Sequence, residues 1–105
     1  MAVFEHVGIA SVSNVETTVF TSNSDSTIVL SLLCANLTGS STDTTCTHLD
    51  DSSSVVNRVS FNVTVPANAS LELLANKYIL PSGHRITIDS AVSGSLSFGA
   101  SYVIV

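Results

Sequence analysis

Leu80-Pro81-Ser82-Gly83-His84-Arg85-Ile86-Thr87-Ile88-Asp89, followed by Ser95-Leu96-Ser97-Phe98-Gly99-Ala100-Ser101-Tyr102-Val103-Ile104-Val105, reads as strand, turn, strand, turn, strand. Pro81 presets φ for a turn and Gly83 permits the positive φ that closes it. From His84 onward, polar and apolar residues alternate with the period of two that belongs to a half-buried strand. Ser93-Gly94 supplies the next turn, and the last segment is rich in β-formers. Ending on the apolar Val105, such a chain is expected to have spent its length on a small all-β core and its surfaces. That pattern favours a structural or binding role over catalysis.

Working outward, the same character recurs. Val59-Ser60-Phe61-Asn62-Val63-Thr64-Val65 places apolar residues at odd positions and polar ones at even positions. Pro66 ends it, because proline cannot donate to a ladder. Thr27-Ile28-Val29-Leu30-Ser31-Leu32-Leu33-Cys34-Ala35 is a nearly continuous apolar run, and its β-branched start together with Asn36 and Gly39 favours a strand. Residues 15–20, 44–49 and 77–80 complete the set, with Asp50-Asp51-Ser52-Ser53-Ser54 as a turn. Asn68-Ala69-Ser70 is read as the cap of one short helical turn over residues 71–75, with Glu72 as its first-turn charge. The expected fold is all-β: a single-domain antiparallel β-sandwich of about seven strands with at most one helical turn. Residues 1–14 are expected to form an N-terminal arm and residues 15–105 the sandwich. The expected core is Val19, Ile28, Leu30, Leu32, Val59, Phe61, Val63, Leu71, Leu74, Ile79, Ile86, Ile88, Leu96, Phe98 and Val103.

Composition narrows the function. The 105 residues suit one domain. Only 10% are charged, whereas 19 are Ser and 11 are Thr, so the surface must be neutral and hydroxyl-rich. A free monomer with so few charges has little protection against association, and a chain held within an assembly needs none. The net charge of −5, with only Arg58, Lys77 and Arg85 as cations, argues against nucleic acid and anionic membranes as partners. No signal peptide is read at the start, so synthesis and storage in a cytoplasm are expected. The three N-x-S/T sequons at Asn36, Asn62 and Asn68 are what so Asn/Ser/Thr-rich a chain produces by chance.

No catalytic, metal or cofactor residues are assigned. Cys34 and Cys46 lie on successive expected strands and form a candidate cross-strand disulfide if the two meet; the plain alternative is a pair of small reduced core residues. Cys46 and His48, with Cys34 and Asp50, are metal-competent side chains, but the paired spacing of structural zinc sites is absent. Asp43, Asp50 and Asp51 lack calcium-loop spacing. His6, His48 and His84 are scattered, with no nucleophile elbow to go with the serines, so the chain is not expected to be an enzyme. The strongly β-prone Ser101-Tyr102-Val103-Ile104-Val105 is the candidate assembly strand: placed at a sheet edge, it would accept a partner strand.

The run Thr27-Ile28-Val29-Leu30-Ser31-Leu32 leads to Ala35-Asn36-Leu37-Thr38-Gly39. After it come Val63-Thr64-Val65-Pro66-Ala67-Asn68-Ala69-Ser70-Leu71-Glu72-Leu73-Leu74 and Lys77-Tyr78-Ile79-Leu80-Pro81-Ser82-Gly83-His84-Arg85-Ile86, before the closing Ser101-Tyr102-Val103. Over residues 15–105 this pattern resembles small all-β virion structural proteins of tailed bacteriophages, of the kind found in cyanophages. Asn68 stands where that pattern has glycine, and His84 where it has an acidic residue. The resemblance implies a capsid cement or decoration protein on the exterior of the virion, assembled in the host cytoplasm. Its expected partners are the major capsid protein and copies of itself, as a homodimer or homotrimer. A small tail, baseplate or neck protein is the alternative. A carbohydrate-binding attachment module is less favoured, since the chain has no Trp and only Tyr78 and Tyr102 to stack on sugars.

Overall fold

The computed structural model describes residues 2–23 and 26–105. Nine strands run in chain order: β1 (Val3–Ile9), β2 (Thr17–Thr21), β3 (Thr27–Asn36), β4 (Thr42–Leu49), β5 (Val55–Val65), β6 (Ser70–Glu72), β7 (Tyr78–Leu80), β8 (Arg85–Ser90) and β9 (Leu96–Ile104). They form two antiparallel sheets of a single sandwich-like domain. Seven of these strands are the expected ones.

The other two correct the sequence reading. Residues 1–14 are not a free arm: β1 pairs with β9 at seven successive positions, from Val3↔Ile104 to Ile9↔Phe98. Its alternation is masked because its outward residues include Phe4 and its inward residues include Glu5. The expected helical turn at 71–75 is also absent. Ser70–Glu72 pairs with β3 instead, and Asn68 takes the left-handed conformation (φ 56°) that turns the chain into it.

One sheet has the order β1-β9-β3-β6, with β7 also pairing β3; the other has the order β2-β8-β4-β5. Strands β6 and β7 lie against opposite ends of β3, at Leu33–Ala35 and Thr27–Val29 respectively, so together they make one interrupted edge. Counted as one strand, the two sheets read 1-8-3-6 and 2-7-4-5. Apart from the β4–β5 hairpin, strands adjacent in sequence therefore alternate between layers and return beside distant partners. This is the double Greek key of a jelly roll.

The core lies between the layers. Val29, Leu32 and Cys34 of β3, with Leu96, Phe98 and Ala100 of β9, face Cys46 of β4 and Ile86 and Ile88 of β8. Three expected core residues, Leu30, Ile79 and Phe61, are exposed, and Ile28 and Val103 lie on the outer face of their sheet. Leu30 is displaced by a register shift between Val29 and Ser31. Ile79 is 58% exposed because it pairs with Ile28 on the outer face of its sheet. Phe61 is 62% exposed because the β4–β5 ladder shifts register three times and Asn62 is left-handed (φ 49°). These shifts break the strict period-two reading of β5 and turn Ser60 inward in its place.

Candidate assembly surface

The terminal residues 101–105 are placed differently from the expectation. β9 has β1 on one side and β3 on the other along its length, so its backbone groups are already paired and it cannot take an added strand. Ser101 points outward and its hydroxyl meets His6 Nδ1 at 3.1 Å. Tyr102 points inward and stacks on Phe20 of the other sheet, with centroids 4.1 Å apart and an interplanar angle of 11°. Val103 is 7% exposed, and the Val105 amide donates to the Ser26 carbonyl. The final strand is therefore structural, for a topological reason: a jelly roll inserts its last strand between the first and the third.

The free edges lie elsewhere, and they differ in how they are defended. β6 and β7 are three residues each. β2 has five residues and a bulge between Thr18 and Phe20. β5 is long, but it is broken by register shifts and by left-handed Asn62, carries Arg58 and runs into Pro66. Short length, bulges, charge and proline are the usual means of keeping an edge from pairing. β1 has only one of these, the charge of Glu5: it is seven residues long, regularly paired to β9, and without bulge, Lys, Arg or Pro.

The outer face of the same sheet carries an apolar row. Phe4 of β1 pairs with Val103 of β9, Val103 with Ile28 of β3, and Ile28 with Ile79 of β7. Phe4 is 76% exposed, and Leu30 and Leu33 are exposed on β3. Val103 is buried and Ile28 half-buried within the row, so the exposed apolar surface is Phe4 at one end, Ile79 at the other and Leu30 and Leu33 on β3, the kind of feature that marks an interaction surface.

The remaining candidates are structural in their surroundings. Cys34 and Cys46 are free thiols, both buried, on opposite sheets rather than on paired strands. Burial pushes the Cys34 thiol up to about 11, and its S–H donates to the Leu71 carbonyl at 3.6 Å. Burial, then the neighbouring Cys34 thiol, pushes Cys46 up to about 12. Glu72 is not a helix charge. Its carboxylate accepts from the Ser31 hydroxyl (2.5 Å) and the Leu32 amide (2.6 Å), beside the register shift in β3.

His48 and His84, scattered in the chain, come together in the fold. One orientation satisfies every group: Asn57 Nδ2 donates to the Tyr78 oxygen (3.1 Å), Tyr78 O–H donates to His48 Nδ1 (2.8 Å), and His48 Nε2–H donates to His84 Nδ1 (2.8 Å). Both ring nitrogens of His48 are thus used. Burial, then the adjacent His84, holds His48 below its ordinary value, with Asp50 a weaker opposing influence. Among the described residues there is no cluster of three or more metal-competent side chains and no pocket.

No family model matches the chain, and no curated protein matches it. Solved structures do. A chain from Bacillus endospore appendages, a family of disulfide-linked pili, aligns with a TM-score of 0.59 at 15% identity, over 97% of this chain and 86% of that one. A chain from the structure of the infectious bursal disease virus Gx strain, a viral capsid protein, aligns with a TM-score of 0.59 at 12% identity over 99% of this chain. The likeness is one of fold. The present chain spans 33% of the viral one.

Proposed function

We propose that this chain is a virion structural protein of a tailed bacteriophage, specifically a cement protein on the exterior of the head. The observation that carries the reading is the set of exposed apolar side chains Phe4, Leu30, Leu33 and Ile79 on one sheet of a jelly roll with very few charges. Jelly rolls are a recurrent solution for shell subunits, and the fold is shared with a viral capsid protein. The resemblance of residues 15–105 to small phage virion proteins points the same way.

The mechanism is mechanical, with no catalytic step. A rigid sandwich lies across joints between major capsid subunits and buries its neutral polar and apolar face there. Because it binds the assembled shell and not the free subunit, it stabilises the shell by mass action. Copies of the chain meet around a symmetry axis of the shell, as a homodimer or homotrimer. Heads lacking the protein are expected to break at lower temperature and milder osmotic shock than complete heads. Equal robustness would remove the cement role.

A tail, baseplate or neck component is the second reading, favoured by the likeness to a pilus subunit. Copy number separates the two: hundreds per particle over the shell, against a few at one vertex. A sugar-binding role is disfavoured because both tyrosine rings are engaged within the fold, Tyr102 on Phe20 and Tyr78 on His48.

A further inference from the structure

We propose that β1 is a self-association edge: two copies pair antiparallel through Val3–Ile9 about a two-fold axis at His6, fusing their β1-containing sheets into one. This deepens the assembly reading by naming a partner, a second copy of the chain, and rests on that reading only for its setting.

Several observations converge on this pairing. Among the described strands, β1 is the one free edge with neither a bulge, a break, a basic residue, a proline nor a length too short to pair, its one charge being Glu5. A two-fold at its midpoint keeps all seven residues paired. Antiparallel geometry permits it whether the even or the odd residues of β1 point their backbone groups outward. In this register Val3 faces the partner's Ile9, Glu5 faces the partner's Val7, and His6 faces its own copy. Glu5 is the only charged residue of β1 other than through His6, and it meets an apolar residue. A shift to a two-fold at Glu5 would set two carboxylates against each other in a chain of net charge −5.

Size is complementary as well. Phe4, 76% exposed, faces the partner's Gly8 on the same outer face. Gly8 lies beside Gly99 of β9, and the His6 ring covers Gly99, where a Cβ would meet His6 Cε1 at 3.1 Å, but leaves Gly8 open. The monomer has no need of glycine at position 8. A Cβ there meets nothing nearer than His6 Nε2 at 3.9 Å, and no positive φ requires it. The space over Gly8, bounded on the Gly99 side by the His6 ring, is thus left open in the monomer and receives the Phe4 ring of a second copy. A seven-residue edge is small beside the roughly 1,200 Å² of a standard stable interface, so the dimer is expected to be concentration-dependent.

The test uses the intact chain. Sedimentation should show a monomer–dimer equilibrium. Phe4→Lys and Gly8→Leu should each raise the dissociation constant at least about tenfold, with far-UV circular dichroism and the denaturation midpoint unchanged. Register is read by cross-linking: directly opposed strand residues sit within disulfide reach, and the native thiols are buried. His6→Cys alone should give a reducible covalent dimer under mild oxidation. Phe4→Cys alone should not, whereas Phe4→Cys combined with Gly8→Cys should. A wild type that stays monomeric at its highest soluble concentration, a His6→Cys variant that does not cross-link, or a dimer indifferent to Phe4→Lys and Gly8→Leu would each overturn the inference. If the chain pairs as stated but heads without it are equally robust, the cement reading fails and this one stands.

Discussion

At the scale of single residues, a buried amide holds one end of the sandwich. Asn36 ends β3, and its Nδ2 donates to the carbonyls of Ser40 (2.8 Å) and Val65 (3.0 Å). Its Oδ1 accepts from the amide (2.9 Å) and hydroxyl (2.8 Å) of Thr38. One side chain therefore closes the β3–β4 loop and ties it to the end of β5. Truncation leaves the buried Val65 carbonyl without its donor and opens the loop at Ser40 and Thr38, so Asn36→Ala is expected to cost about 1–3 kcal/mol by urea denaturation. In the sequence Asn36 reads only as a strand terminator and a sequon. Its network is invisible there because Val65 is distant in the chain and meets it only after folding. By contrast, Gly83 was legible: its φ of 84° and the His84 amide bond back to the Pro81 carbonyl are the turn that Pro-Ser-Gly encodes.

At the scale of elements, the strands that alternate or run apolar were readable, and those shaped by bulges were not. β8 and β9 follow their patterns. β5 does not, because its partner strand absorbs the register shifts and nothing within residues 59–65 announces them. The histidine cluster also belongs to this scale, since it links β4 through His48, β7 through Tyr78 and the β7–β8 turn through His84. His48 is held below the ordinary histidine value of 6.5, so the unfolded chain takes up its proton first as pH falls. Stability contributed by this cluster is complete above about pH 6.5 and is lost as pH drops toward the folded-state value. Denaturation midpoints should therefore fall between pH 7.5 and pH 5, and His48→Gln should flatten that slope. An unchanged slope in the variant would assign the acid sensitivity to other groups.

At the scale of the whole molecule, the two layers enclose the thiols of Cys34 and Cys46 from opposite sides. Both are held above the ordinary value of 9.0 by desolvation. The unfolded chain therefore loses these protons first as pH rises. Stability is expected to decline from about pH 9 toward the folded-state values of about 11 and about 12. A double Cys34→Ala, Cys46→Ala variant, although less stable at neutral pH through the lost volume, should show a shallower alkaline decline. Thiol reagents at pH 8 should label neither cysteine in the folded chain and both after unfolding.

The amino-acid sequence alone determined the class of fold, most of the strands and the neutral, hydroxyl-rich surface, because period-two patterning, turn residues and charge content are local properties of the chain. Only the tertiary structure decided which strand lies at an edge. The last strand, the most β-prone, is locked between β1 and β3, and the poorly patterned first strand carries the open edge. Edge and centre are set by pairing between residues about a hundred positions apart, and strand propensity carries no record of that.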